Sequence, residues 1–357
     1  MKILHVNAGN ENGGGRTIIV NLIKGMIDQD INAQLLVFEK GPVSDWSQKM
    51  GIPTTIMHQN SKLDMSIALR LQKFIIDNHI DIVNTHGPRA NFIMYLIHKF
   101  VKAKWVVTVH SDPNIDFSDS ITGNLLLLMN IHAIKAADKL ILVSGKLTKP
   151  LIRFGIDKAK MVPMFNAMTF SQTSPKPHRE KIFTILDVGR LVVVKNQQLL
   201  IRALAKVTFD FKLILVGNGP TGHDLGKLTN SLKLNDKVVF EGFKDDTSVF
   251  YKNSDLFTLV SSSDTFPMTI MEAANYGIPT IATNVGSVSK LITPKSGWLV
   301  ESNNIEQLIS ILNVAYEKWL SNDLSKMGQA AYQYCSTNFS SERLAKAYLE
   351  VYKEIKN

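Results

Sequence analysis

The chain has 357 residues, 45% of them hydrophobic, with a single cysteine and a formal net charge of +9. That length exceeds what one hydrophobic core organises and predicts two domains, while a lone Cys335 excludes an intrachain disulfide and fits a reducing compartment. The lysines are scattered singly, without the basic runs and interleaved aromatics of a nucleic-acid binder, so nucleic acid is not an expected partner.

The opening stretch MKILHVNAG has one lysine and too short an apolar run for a signal peptide, and reads as a first buried strand. Apolar runs then alternate with helical patterns: Ile3 to Val6, Thr17 to Met26, Ala33 to Phe38, and onward to Leu140 to Val143. IDIVNTH, WVVTVH and KLILVS are almost continuously apolar, as strands covered on both faces must be. The reading is α/β with a parallel, doubly wound sheet. The apolar stretch from Leu125 to Ala137 is broken by Asn130, His132 and Lys135, so no transmembrane span is expected. Residues 1–168 carry +6 of the net charge and the remainder +3. This asymmetry leaves open a peripheral contact of the first domain with an anionic membrane face.

From 169 to 180 the pattern lapses into TFSQTSPKPHRE, which marks a linker. Alternation restarts at Phe183 to Val188 and continues through Lys212 to Val216, Val238 to Phe240 and Leu256 to Val260. The expected domains are 1–168 and 181–339, facing each other with ligands at the carboxyl ends of their strands. The final segment places Leu344, Ala347, Tyr348, Val351 and Tyr352 on one apolar helical face.

Several strand ends carry polar residues suited to chemistry. Asn12-Gly13-Gly14-Gly15-Arg16 follows the first strand, and its small residues permit close backbone approach to a ligand, although such turns are also simply tight. His110 closes the strand Trp105 to Val109, and His86 with Arg89 follows the preceding strand, where they could line an acceptor side. Gly189-Arg190-Leu191 and Lys195-Asn196 put two cations near a strand end, where a planar guanidinium and a compact ammonium suit a diphosphate. In LFTLVSSSDTFPMTIMEAANYGIPTIATNV (256–285), a strand is followed by a helix that Pro267 opens, flanked by Asp264 and Glu272. Backbone N–H groups of Met268, Thr269 and Ile270 would face an anion there. Read alone, Thr269-x-x-Glu272 also fits a capping box, with Asp264 an ordinary loop residue.

The spacing from Asp264 to Glu272, the Gly277-Ile278-Pro279 turn and the G-R-L-x-x-x-K-N pattern at Gly189 to Asn196 together resemble the family 4 glycosyltransferases, retaining enzymes of the GT-B fold. The motifs occur in family order over nearly the whole chain. Asp264 stands where the family usually has Glu. The resemblance implies two Rossmann-like domains, with the final helix from about 340 crossing back onto the first. It implies a hexosyltransferase that moves sugar from a nucleotide-sugar, with a UDP-sugar the expected donor, to a saccharide or lipid-linked saccharide in bacterial surface polysaccharide synthesis. It gives His110, Asp264, Arg190 and Lys195 catalytic roles. Gly14, Gly15, Gly217, Gly242, Phe243, Met268, Thr269, Ile270 and Glu272 become donor contacts, with Glu272 on the ribose. No cofactor or metal is expected, since the cations neutralise the leaving group. The expected location is cytoplasmic, or peripheral at the inner membrane face. A non-catalytic GT-B partner protein and a UDP-sugar epimerase are the alternative readings.

Overall fold

The computed structural model describes the chain except for residues 12, 13, 60, 62, 63, 115, 116, 118, 119, 172, 174, 176–179 and 357. Its strands are Ile3–Asn7 (β1), Ala33–Val37 (β2), Thr54–Ile56 (β3), Ile82–His86 (β4), Lys104–Val109 (β5), Lys139–Leu142 (β6), Met161–Pro163 (β7), Phe183–Val188 (β8), Phe211–Val216 (β9), Val238–Gly242 (β10), Leu256–Leu259 (β11), Thr280–Thr283 (β12) and Gly297–Val300 (β13). Its α-helices are Gly14–Ile27 (α1), Pro42–Lys49 (α2), Ser66–Asp77 (α3), Pro88–Ile97 (α4), Ile121–Ala136 (α5), Thr148–Arg153 (α6), Gln197–Leu204 (α7), Gly222–Ser231 (α8), Ser248–Lys252 (α9), Met268–Asn275 (α10), Ile305–Leu320 (α11), Asp323–Asn338 (α12) and Ser341–Lys356 (α13). They form two compact units, Met1–Thr169 with Phe339–Asn357, and Phe170–Asn338.

The first unit holds a parallel sheet in the order β3-β2-β1-β4-β5-β6-β7. Side chains alternate across it, so both faces need cover. Leu4, Val6, Val83, Trp105 and Val107 pack under α3, α4 and α5. Ile3, Leu35, Ile82 and Val106 pack under α1 and α13. Two buried phenols fasten α13 to the sheet. Asn84 Nδ2 donates to Tyr352 Oη at 2.7 Å, and Thr108 Oγ1 lies 3.4 Å from Tyr348 Oη. Burial pushes both phenols above the ordinary range, so they remain protonated.

The second unit holds a parallel sheet in the order β10-β9-β8-β11-β12-β13. Described residues between 169 and 180 are fastened to this unit. Ser171 N–H donates to Asn275 Oδ1 and Glu180 N–H to Asp255 Oδ1, at 2.8 and 2.9 Å. In each sheet the strand order reverses once, between β1 and β4 and between β8 and β11, and ligands of open α/β sheets bind outside the carboxyl ends at such a reversal. Among the described residues, no helix is long and apolar enough to cross a membrane.

Candidate active site

At the reversal of the second sheet, two loops meet. After β8, the chain passes Gly189 and Arg190 into a short 3-10 turn, Val193–Lys195. After β11, it passes Ser262 and Asp264 into α10. Ser262 N–H donates to Val194 C=O at 2.8 Å and ties the loops together. Lys195 Nζ donates to Asp264 Oδ2 at 2.6 Å, with both side chains mostly buried. The predicted cation and the predicted acid are thus one ion pair. The shorter Asp side chain meets Lys195 directly. Gly286, with φ of 58°, clamps the acid's backbone: a Cβ there would sit 1.7 Å from Asp264 C=O. Arg190 is exposed.

The start of α10 is Met268, and Pro267 occupies the capping position with no side-chain acceptor. This overturns the capping-box alternative, because Thr269 lies inside the helix. The helix is open at its N-terminus, where the macrodipole favours an anion near Met268, Thr269 and Ile270. Glu272 lies one turn on, and Tyr251 Oη donates to its Oε2 at 2.8 Å. Burial raises the Glu272 carboxyl above its ordinary value, with the Tyr251 hydrogen bond opposing the shift. Burial, reinforced by the neighbouring Glu272, raises Tyr251 well above its ordinary value and keeps it a donor.

Neighbouring turns complete the rim. Gly217, with φ of 139°, lets the end of β9 approach β8: a Cβ would fall 1.9 Å from Gly189 C=O. Gly217 N–H donates to Gly242 C=O at 2.8 Å, and Phe243, next in the chain, is 64% exposed and presents an aromatic face. Asp187 sits beneath the cations. It accepts from Gln197 Nε2 at 3.3 Å, and burial pushes its carboxyl up to about 7, with Gln197 and Lys195 opposing. Sequence reasoning missed Asp187 and Gln197, which pair ten positions apart across the loop after β8, and Tyr251, whose partner Glu272 lies 21 positions on.

In the first unit, Asn12 and Gly13 lie outside the described residues, while Gly14 and Gly15 open α1. A Cβ on Gly15 would lie 2.8 Å from Glu11 Oε2, so a carboxyl group borders this turn. Arg16 turns onto the Trp46 ring, 4.8 Å from its centroid. His110 lines a cavity of about 260 Å³ with Glu11, Gly87, Asn91, Thr108 and Ser111. Two expectations are corrected. His86 is buried, and both ring nitrogens are engaged, one with His5 and one with His110, so it offers nothing to an acceptor. Arg89 is committed to Glu39 at 2.9 Å and to Gln59, which holds the guanidinium inside the unit. His5 was not foreseen, although it too lies on a strand whose end carries polar residues. Cys335 is buried, which pushes its thiol up to about 12 and leaves it inert.

Comparison with known proteins gives a consistent assignment. The model described as Glycosyltransferase Family 4 matches residues 12–168, and that described as Glycosyl transferases group 1 matches residues 170–334. The chain is 25% identical to the UDP-Gal:alpha-D-GlcNAc-diphosphoundecaprenol alpha-1,3-galactosyltransferase of Escherichia coli, over 91% of this chain and 90% of the relative. It is 25% identical to the N-acetyl-alpha-D-glucosaminyl L-malate synthase of Bacillus anthracis, over 82% and 79% of the two chains. Among solved structures, Anabaena HepE in complex with UDP superposes with a TM-score of 0.82 at 19% identity, over 99% of this chain and 100% of that one. Two Rossmann-like units of the GT-B type, matched in succession by the two family models, make this chain a member of the group 1, family 4 glycosyltransferases.

Proposed function

We propose that the protein is a retaining glycosyltransferase that moves a hexose from a UDP-sugar to a hydroxyl of a saccharide or lipid-linked saccharide, in the synthesis of a bacterial surface polysaccharide. The observation that carries this reading is that the loop bearing Arg190 and Lys195 meets the loop leading into α10 at the strand reversal of the second unit, joined by Lys195–Asp264 and Ser262–Val194. Such a cluster suits a diphosphate. The names of the Escherichia coli and Anabaena relatives, with a UDP-sugar donor, a lipid-linked acceptor and bound UDP, support the donor and acceptor classes.

In this scheme the bond between the anomeric carbon and the β-phosphate oxygen breaks, and the electron pair leaves with UDP. Arg190, Lys195 and the N–H groups of Met268, Thr269 and Ile270 stabilise that growing charge. The acceptor hydroxyl attacks from the face that UDP leaves, and its proton passes to the departing phosphate oxygen. Asp264 holds Lys195 in place, and the reading assigns no step to a metal. Phe243 stacks on the base and Gly217 and Gly242 shape the turns beside it. One Glu272 oxygen is held by Tyr251 and the other accepts from the ribose hydroxyls.

Glu272→Gln is expected to weaken UDP binding about 10- to 100-fold, the scale of lost hydrogen bonds to a charged acceptor. Calorimetric titration with UDP checks it, and unchanged affinity would remove the ribose assignment.

Peripheral membrane contact belongs to the same reading. On α5, Ile121, Leu125 and Leu128 share one face and are 92%, 56% and 55% exposed, and His132 and Lys135 continue that face. Exposed Lys99, Phe100 and Lys102 follow α4, which packs beside α5. An apolar stripe beside lysines suits an anionic lipid surface. The protein should sediment with phosphatidylglycerol-containing vesicles and not with phosphatidylcholine vesicles, and Leu125→Ser with Leu128→Ser should abolish this. Recovery with neither vesicle type would contradict the contact, and equal recovery with both would contradict its anionic preference.

A further inference from the structure

Glu272 and Tyr276 stand four positions apart along α10 and its carboxyl end, so both face one side of the helix. Tyr251 of α9 meets both. Its ring stacks on Tyr276, with centroids 5.5 Å apart and planes 2° from parallel, and tilts against Phe257 of β11 at 5.8 Å. Its hydroxyl donates to Glu272 Oε2 at 2.8 Å. Tyr251 is 1% exposed, so packing on both ring faces holds the hydroxyl at one place and one angle.

A carboxylate accepts several hydrogen bonds, and burying its charge is costly unless they are supplied. Burial raises the Glu272 carboxyl, and the Tyr251 hydrogen bond opposes that shift. Among the described residues, no donor reaches Glu272 Oε1. The protein thus supports one oxygen and leaves the other short of a donor, which a ligand hydroxyl supplies. A carboxylate free to rotate would lose that freedom on binding the ligand. The bond to Tyr251 removes this cost in advance.

We propose that Tyr251 is a positioning residue that sets the preference of the donor site for a ribonucleotide over a deoxyribonucleotide, by fixing the Glu272 carboxylate so that Oε1 accepts from the 2′-hydroxyl. It touches no reacting atom. A 2′-deoxy ligand leaves the positioned oxygen without its donor, and a site built to bond a hydroxyl rejects the analogue that lacks it. The role of Tyr251 rests on the assignment of Glu272 to the ribose and makes that contact discriminating.

The test is the affinity of the full chain for UDP and for 2′-deoxy-UDP, read by calorimetric titration. Wild type should bind UDP about 10- to 100-fold more tightly, the scale of a hydrogen bond to a charged group. Tyr251→Phe removes one oxygen and keeps the ring. In that variant UDP affinity should fall about fivefold or more while 2′-deoxy-UDP affinity stays within about twofold, so the ratio shrinks. A purely structural role would weaken both ligands alike, and an unchanged ratio would overturn the proposal. A wild-type ratio near one would instead remove Glu272 from the ribose, and the role of Tyr251 with it. If Tyr251→Phe does not fold, Tyr276→Leu decides, because it removes the stacked ring that sets the angle of Tyr251. The ratio should shrink there too, and an unchanged ratio would overturn the proposal.

Discussion

Lys195→Ala is expected to lower donor turnover about 10²- to 10³-fold, the loss seen when one preorganised group that stabilises developing charge is removed. The ion pair with Asp264 complicates the reading, because removing the cation leaves a mostly buried carboxylate unpaired. That should also destabilise the second unit by about 1–3 kcal/mol. The two effects separate in the double variant. Lys195→Ala with Asp264→Asn should regain stability, since an amide tolerates the site without a cation, yet should stay as inactive as Lys195→Ala. Steady-state kinetics and urea unfolding of the wild type, both single variants and the double variant complete the cycle. Turnover restored with stability would reduce Lys195 to a structural residue, and the diphosphate clamp would lose its centre.

The second large effect is a loss of stability in mild acid, confined to the first unit. Burial holds His5 at about 3, His110 at about 4 and His86 well below 6.5. Each folded-state pKa is depressed, so the unfolded chain binds protons first, and the stability present above about pH 6.5 is lost as pH falls toward the folded values. Each such group adds a slope of up to about 1.4 kcal/mol per pH unit while the unfolded chain takes up its proton first, a loss that weighs on the marginal stability of an ordinary domain. Asp187 in the second unit has the opposite sign. Its folded-state value is raised from 3.8 to about 7, so its contribution is present below about pH 4 and lost as pH rises through 7. Hydrogen exchange at pH 7.5 and pH 5 should therefore show protection falling in the first unit and holding in the second. Equal protection at both pH values would mean that the imidazoles are not buried neutral.

The sequence carried the architecture because strands covered on both faces must be apolar nearly throughout, and KLILVS or LFTLV admits few other readings. It also carried the α10 start, since Pro267 marks a helix entry wherever it follows a buried strand. Contacts set by register were invisible. Lys195 meets Asp264 across 69 positions and Tyr251 meets Glu272 across 21, distances at which no local periodicity operates. The contacts of His86 with His5 and His110 need the order β1-β4-β5, which crossovers fix and composition does not. The misplacement of His86 and Arg89 has the same origin. A polar residue at a strand end can face a ligand or a neighbouring strand, and here the second neighbour wins, as Glu39 and Gln59 take the guanidinium. The apolar outer face of α5 was hidden for another reason. The helix is hydrophobic around most of its circumference, so its sequence does not mark which side is covered.

The most direct test is UDP release by the purified protein from a panel of UDP-sugars, with and without a crude lipid-linked saccharide acceptor. The account predicts release from one donor that rises when acceptor is added, with a product of retained anomeric configuration. Conversion of a UDP-sugar without acceptor or UDP release would point to an epimerase, and absence of binding or turnover with every UDP-sugar would contradict the proposed donor.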